Sequence, residues 1–347
     1  CEDIWVSKPI ADAAAANAKI LFNINASPYD KNKNSEREKI ISKRASESDM
    51  YVVYVNLIGG QDELIFDGNS MIFNKNGDVI FRAPEFKEGL YSACVNTEQT
   101  KINSNTKEET NLNFTKEESI YNGLVIGVKD YVKKNNFQGV IIGLSGGIDS
   151  ALTLCIAVDA LGPENVEALI MPSRYTAKMS IDDACALAKK LKVSYEIISI
   201  EPPFTAFLQA LKPIFKKSPV DTTEENIQAR SRGILLMAIS NKYNKLVLTT
   251  GNKSEMSVGY ATLYGDMAGG YSPLKDIWKT LVYQLAKWRN QNKKVIPENI
   301  INRPPTAELR DNQLDQDTLP DYEILDQILE QYIEFDKRPE EIIKNGF

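Results

Sequence analysis

Residues 139–150 read Gly-Val-Ile-Ile-Gly-Leu-Ser-Gly-Gly-Ile-Asp-Ser. The β-branched run Val140-Ile141-Ile142 predicts a buried strand, and Ala151, Leu152, Leu154, Cys155 and Val158 predict a helix that starts around Ser150. Between them stand two adjacent glycines, Gly146 and Gly147, flanked by the hydroxyls of Ser145 and Ser150. A strand that breaks at glycines and re-enters as a helix is suited to holding phosphate. Glycine lets backbone N–H groups approach an anion, and the helix start adds unsatisfied donors and the positive end of a dipole. A bare Gly-Gly pair could equally be a turn that ends a buried strand. The full string Ser-Gly-Gly-Ile-Asp-Ser directly after such a strand leaves that reading little room, so Gly143, Leu144, Ser145, Gly146, Gly147, Ile148, Asp149 and Ser150 are the candidate phosphate-binding residues.

No lysine follows these glycines as a Walker-type loop requires, and the spacing is not that of a dinucleotide fingerprint. The string instead resembles the Ser-Gly-Gly-x-Asp-Ser signature of the ATP pyrophosphatase (PP-loop) enzymes. That resemblance implies cleavage of ATP between the α and β phosphates, with the departing pyrophosphate held by this loop.

Composition narrows the chemistry. With 347 residues, 43% hydrophobic and 25% charged, the chain reads as globular and long enough for two cores. A net charge of −6 offers no basic field for nucleic acid, and no apolar run reaches membrane-spanning length. The four cysteines, Cys1, Cys94, Cys155 and Cys185, stand far apart, which predicts neither a zinc site nor a disulfide framework and suits a reducing, cytoplasmic setting. Histidine is absent, so chemistry within these residues runs on carboxylates, lysines, hydroxyls, a thiol or a bound metal ion. An opening at Cys1 rather than methionine, and the ending Asn345-Gly346-Phe347, lead us to expect polypeptide beyond both ends.

Along the chain, Tyr51–Ile58 is β-rich, and Phe66, Met71–Phe73 and Val79–Phe81 are separated by Asp67-Gly68-Asn69 and Asn76-Gly77-Asp78, the latter predicting a hairpin. Residues 96–119 turn polar and read as a linker between a first domain, 1–95, and a second, 120–347. After it, strand candidates at 139–144, 166–171, 195–200 and 246–250 alternate with helical stretches. Ser180 with Asp183 reads as a capping box ahead of Ala184, Leu187, Ala188 and Leu191. This alternation predicts a doubly wound parallel sheet, with ligands at the carboxyl ends of its strands. Glu255 follows the strand at 246–250 and would sit at the same edge as Asp149. There it could hold Mg²⁺ with Asp149, or merely favour the first turn of a helix capped by Ser254; the residues alone do not choose.

Further strings occur in order: Glu-Glu-Asn-Ile-Gln-Ala-Arg (224–230), Thr-Gly-Asn-Lys-Ser-Glu (250–255), Tyr-Gly-Asp-Met-Ala-Gly-Gly-Tyr-Ser-Pro-Leu-Lys-Asp (264–276) and Asp-Gln-Asp-Thr-Leu-Pro (315–320). With the glycine loop they closely resemble the synthetase domain of the glutamine-dependent NAD⁺ synthetases. Cys1-Glu2-Asp3-Ile4-Trp5, Asn25-Ala26-Ser27-Pro28-Tyr29 and Gly59-Gly60-Gln61-Asp62-Glu63 resemble the second half of that family's nitrilase-type glutaminase domain. The fold implied is an adenine nucleotide α-hydrolase-like (Rossmann-like) α/β domain, preceded by the second half of a nitrilase-like α/β sandwich.

The resemblance also implies roles. Cys1 is the glutaminase nucleophile, where an isolated cysteine would more often be a core thiol. Its partner glutamate and lysine precede the cysteine in that family and are not among these residues. Ser27 and Lys33 contact glutamine, although Lys33 stands in a Lys/Asn-rich stretch that otherwise reads as a solvated loop. Thr250 touches ATP, and Asn226, Arg230, Glu255, Asp266 and Lys279 contact deamido-NAD⁺; Asn226 and Arg230 would otherwise read as a solvated helix face. Asp149 and Glu255 are the expected Mg²⁺ ligands, and the glycine-rich loop 265–270 an expected mobile lid. The implied activity is ATP-dependent amidation of deamido-NAD⁺ with ammonia from glutamine, in a homo-oligomer. A GMP synthetase-like PP-loop amidotransferase and a nucleotide-binding regulatory module are the alternatives.

Overall fold

The computed structural model describes residues 2–93, 95 and 114–347. Cys1, Cys94 and most of the expected linker lie outside the described residues. The chain divides into two compact units, 1–131 and 132–347. The helix Lys116–Lys134 crosses that division, so residues 116–119 of the expected linker are helical.

The first unit contains the helices α1 (Glu2–Trp5), α2 (Lys8–Ala15) and α3 (Lys33–Ser48), the strands β1 (Ile20–Asn25) to β6 (Val79–Arg82), and the start of α4 (Lys116–Lys134). The strands β1, β2 (Tyr51–Asn56), β5 (Met71–Phe73) and β6 form one sheet in that order, β1 parallel to β2 and the remaining pairs antiparallel. The expected hairpin joins β5 to β6 through residues 74–78, with Gly77 at a φ of +86°. The run at 51–58 is divided, because Ile58 begins β3 (Ile58–Gln61), which pairs with β4 (Leu64–Asp67) in a separate two-stranded ribbon. Helix α3 places Ile41 and Ala45 on Val52, Tyr54, Met71 and Phe73, with Ile4 and Ile10 closing the same core. Lys33 is the first residue of α3, so the Lys/Asn-rich stretch is the start of a helix rather than a loop. Its Nζ lies 6.0 Å from the centre of the Trp5 ring.

The second unit is built on a fully parallel sheet in the order β10-β7-β8-β9: Leu246–Leu248, Val140–Gly143, Val166–Ile170 and Ser194–Ile197. All four strands fall where the sequence placed them. Ile141, Leu169 and Val247 share one face, packed against Leu236 of α8 (Thr222–Tyr243). The alternating residues Val140, Ile142 and Ala168 are equally buried, so the sheet is covered on both faces, as a doubly wound sheet requires. Helix α5 (Ile148–Leu161) packs on β7 and β8, α6 (Lys178–Leu191) follows β8, and α7 (Glu201–Phe215) lies against α8. After β10 come α9 (Lys253–Ser257), α10 (Lys279–Asn292), α11 (Glu298–Asn302), α12 (Tyr322–Leu329) and α13 (Pro339–Lys344).

One local expectation fails here. Helix α6 begins at Lys178 with Ala177 in the capping position, so Ser180 lies inside the first turn and does not cap it. Its hydroxyl instead donates to Glu308 Oε1 at 2.5 Å and accepts from Arg303 NH1 at 2.7 Å. A tertiary partner outcompeted the local one. The loop 265–270, expected as a mobile lid, docks on β10 through its last residues. Gly270 N–H donates to the Val247 carbonyl at 3.0 Å, Thr249 N–H donates to the Tyr271 carbonyl at 3.0 Å, and Tyr271 bridges Leu248 as an extra parallel rung. A Cβ on Gly269 would lie 2.5 Å from Thr249 Cγ2, so glycine serves close docking on the edge of β10 here.

Candidate active site

The cleft of the second unit, about 270 Å³, opens at the carboxyl ends of β7, β8 and β10. Gly143 to Ser145, Gly147 to Ser150, Thr250, Glu255, Asp266 and Lys279 all line it, so nearly every residue expected to meet ATP is gathered at one place.

The glycine loop is closed by its own hydroxyls. Ser145 and Ser150 share a hydrogen bond at 3.1 Å, Gly147 N–H donates to Ser145 Oγ at 3.2 Å, and Ser150 Oγ donates to the Gly147 carbonyl at 3.0 Å. Both serines therefore brace the turn. Gly147, the residue before α5, offers no side-chain cap, so the first N–H groups of that helix remain available to an anion. Gly146 sits at a φ of +84°, and a Cβ there would land on the Ser180 carbonyl oxygen. Arg303 NH2 donates to the Gly146 carbonyl at 3.0 Å and fixes the turn from outside. Gly146→Ala should therefore raise the KM for ATP about ten-fold or more, through left-handed strain and a backbone collision together. Unchanged ATP kinetics would show that the loop can relax around a methyl group.

Asp149 and Glu255 meet through Lys279. Its Nζ donates to Asp149 Oδ2 at 2.5 Å and to Glu255 Oε1 at 3.1 Å, and lies 5.4 Å from the centre of the Tyr322 ring. Asn252 adds a second link, donating through Nδ2 to Asp149 Oδ1 at 2.9 Å. The capping residue of α9 is Asn252, not Ser254: Glu255 N–H donates to Asn252 Oδ1 at 3.0 Å, and Asn252 N–H donates to Glu255 Oε2 at 3.3 Å. Glu255 thus does serve the first turn, through a cap on Asn252, and its other oxygen faces Lys279. Burial pushes the Glu255 carboxyl up to about 7, with Lys279 opposing and Asp149 adding to the shift. Burial alone would lower the Lys279 ammonium, but Asp149 and then Glu255 outweigh it and hold it well above the ordinary lysine value. Ser254 is used elsewhere: its hydroxyl donates to Asp326 Oδ1 and accepts the N–H of Lys279 at 2.9 Å, which fixes where α10 begins.

The expected dinucleotide contacts divide. Asp266 lies in the cleft and accepts the Thr262 N–H at 2.7 Å; burial raises its carboxyl against that bond. Asn226 accepts from Thr262 Oγ1 at 2.8 Å and does not line the cleft. Arg230 is exposed, its Nε donating to the Leu263 carbonyl at 3.2 Å. The arginine that α8 turns into the cleft is Arg232, which the sequence reading missed. Ala229, Arg232, Gly233 and Leu236 line the cleft at helical spacing, a stripe visible in the sequence once the helix phase is set by Leu236. Arg232 Nε donates to the Met171 carbonyl at 3.1 Å, and burial lowers its guanidinium to about 10 against the pull of Glu308. A cation so placed suits an anionic ligand. Arg232→Met should raise the KM for ATP roughly ten-fold while changing kcat much less; an equal fall in kcat with KM unmoved would remove ATP binding as its role.

In the first unit, Ser27 is buried. Its N–H donates to Asn56 Oδ1 at 2.8 Å and its hydroxyl accepts from Arg37 NH2 at 3.3 Å. Arg37, 1% exposed, also donates to Asp67 Oδ2 at 2.9 Å, so a buried ion pair carries the Ser27 loop. The sequence marked Asp67 only as part of a turn and gave no signal for Arg37.

A family model described as NAD synthase matches residues 120–347. The chain belongs to the NAD synthase family. A second model, carbon-nitrogen hydrolase, matches residues 1–101. The chain is 48% identical to the glutamine-dependent NAD(+) synthetase of Acinetobacter baylyi over 349 aligned positions, which cover 100% of this chain and 64% of that protein. It is 44% identical to the one from Thermotoga maritima, covering 66% of it. The chain thus spans about two thirds of the length of these NAD synthase relatives. A solved glutamine-dependent NAD⁺ synthetase from Acinetobacter baumannii, in complex with ADP, superposes with a TM-score of 0.84 at 46% identity, covering 100% of this chain and 63% of that one. A solved NMN synthetase from Francisella tularensis covers 67% of this chain and 91% of that one, with a TM-score of 0.57 at 30% identity.

Proposed function

We propose that this protein carries out the ATP-dependent amidation of deamido-NAD⁺ to NAD⁺, with ammonia released from glutamine. The observation that carries it is the joining of the Ser145–Ser150 loop, Asp149, Lys279 and Glu255 in one cleft, in a chain nearly half identical to glutamine-dependent NAD⁺ synthetases. A GMP synthetase-like amidotransferase is not favoured by these relatives.

A carboxylate is a poor electrophile because oxide is a poor leaving group. The nicotinate carboxylate oxygen therefore attacks the α-phosphorus of ATP, the bond to the β-phosphate oxygen breaks, and an acyl-adenylate forms. The loop N–H groups and the start of α5 hold the departing pyrophosphate, while Arg232 and Lys279 supply positive charge to the cleft. Ammonia then attacks the activated carbonyl, loses a proton, and AMP leaves as the amide forms. Asp149 and Glu255 fit Mg²⁺ in kind, being hard carboxylate donors facing one point from two strand ends. When bound, the ion would neutralise phosphate charge as the pyrophosphate departs.

The glutaminase half of the proposal places the nucleophile at Cys1 and the glutamine contacts at Ser27 and Lys33, with residues 1–95, 96–119 and 120–347 as the working division of the chain. Asn226 and Arg230 stay with deamido-NAD⁺ in this reading, reached from outside the ATP cleft. We place the reaction in the cytoplasm, where thiols such as Cys155 and Cys185 stay reduced. Self-association belongs to the same proposal: Ile234 and Met237 are exposed one turn apart on α8, with Leu263 and Tyr264 exposed beyond α9. Light scattering of the full-length protein checks it. The activity itself is tested by supplying ammonia and ATP. AMP and pyrophosphate should form only when deamido-NAD⁺ is present, and turnover with xanthosine monophosphate instead would overturn the assignment.

A further inference from the structure

All four carboxylate oxygens of the expected Mg²⁺ pair already have protein partners. Lys279 Nζ holds Asp149 Oδ2 and Glu255 Oε1, while Asn252 satisfies Asp149 Oδ1 through its side chain and Glu255 Oε2 through its backbone. Lys279 is 2% exposed and lies at the point both carboxylates face. A divalent ion and an ammonium cannot share that point, because like charges a few ångström apart in a largely dry pocket repel strongly. Among the described residues, moreover, no group of three or more acidic, thiol or imidazole side chains is placed to hold a metal, so a divalent ion here needs further oxygen ligands, which water and nucleotide phosphates can supply. The same cleft supplies Lys279 with somewhere else to go, since Lys279 and the phosphate-binding loop line it together.

We infer that Lys279 is the resting cation of the Asp149–Glu255 pair, and that a divalent ion takes its place only when nucleotide phosphates give the ammonium a new partner. Lys279 then changes anions rather than losing one: it leaves two carboxylates for phosphate oxygens as the divalent ion arrives. Metal and nucleotide binding become coupled, and the enzyme without nucleotide keeps its metal position closed. A buried pair of carboxylates never stands without a cation, which guards the fold between turnovers. This rests on the assignment of Asp149 and Glu255 to Mg²⁺ proposed above.

The test uses the full-length enzyme and Mn²⁺, read by electron paramagnetic resonance, with no requirement for activity. Without nucleotide, wild-type protein should bind Mn²⁺ at least ten-fold more weakly than Lys279→Met, which keeps the stem but removes the charge. Mn²⁺ should also raise the melting temperature of Lys279→Met and not that of nucleotide-free wild type. If Lys279→Met unfolds without metal, recovery of its circular dichroism on adding Mn²⁺ is the same result, and Lys279→Gln provides a second variant. Equal Mn²⁺ affinity in wild type and both variants overturns the exchange. Glu255→Gln tests the underlying assignment separately: loaded with a non-hydrolysable ATP analogue, this variant should bind Mn²⁺ more weakly than wild type loaded in the same way. If that affinity is unchanged, the metal assignment itself falls; if it drops while Lys279→Met gains nothing, only the exchange is wrong.

Discussion

In the full-length enzyme, Asp149→Ala should slow AMP formation at least ~100-fold, with glutamine and with ammonia alike, corresponding to about 2.7 kcal/mol of lost transition-state stabilisation. Three losses coincide in this one substitution. The carboxylate proposed to serve the phosphate site disappears, Asn252 Nδ2 loses its acceptor, and the buried Lys279 ammonium loses one of its two carboxylate partners. In the proposed reaction the nitrogen source acts after the adenylate forms, so changing from glutamine to ammonia should not rescue the variant. Single-turnover adenylation separates this step from product release. Adenylation at the wild-type rate in Asp149→Ala would remove Asp149 from the phosphate site.

The opposite pattern should follow Cys1→Ala. Glutamine-supported NAD⁺ formation should vanish, because no other group in the sequence context Cys1-Glu2-Asp3-Ile4-Trp5 can form the thioester. Ammonia-supported synthesis should stay within about two-fold of wild type, since the loop, Lys279 and Glu255 all belong to the second unit. Assaying one preparation with both donors makes the comparison internal. If both activities fell equally, Cys1 would be a structural thiol and the glutaminase assignment would fail.

Much of the nucleotide domain was legible because its signals are local. Val140–Ile142 could only be a buried strand, Gly146 and Gly147 a break, and Ala151–Val158 a helix, so the loop geometry follows from neighbours in the chain. The same holds for the parallel strands at 166–170, 194–197 and 246–248. Where a side chain's partner lies far away in sequence, local reading fails. Ser180 has the spacing of a cap, yet its hydroxyl bonds Glu308 and Arg303, more than a hundred residues on. The glycines at 265–270 suggest freedom, but Gly269 and Gly270 are there so that backbone can press against β10. Arg232 went unnoticed beside Arg230 because choosing between them needs the helix phase, and the phase is set by which face meets the sheet.

What the sequence by itself determined is the kind of chemistry: a phosphate loop without lysine or histidine, on a parallel sheet, with acidic residues expected at the same edge. It did so because turn geometry, strand burial and helix starts are set within a few residues of one another. Only the tertiary structure decided how the charges are paired. Lys279 stands 130 positions from Asp149 and 24 from Glu255, and no periodicity relates them. They meet because the Ser254 hydroxyl and Asp326 fix the start of α10, which aims the lysine between two strand ends. Burial then sets both carboxylates and the ammonium against one another in a low local dielectric, which a linear string of residues does not record.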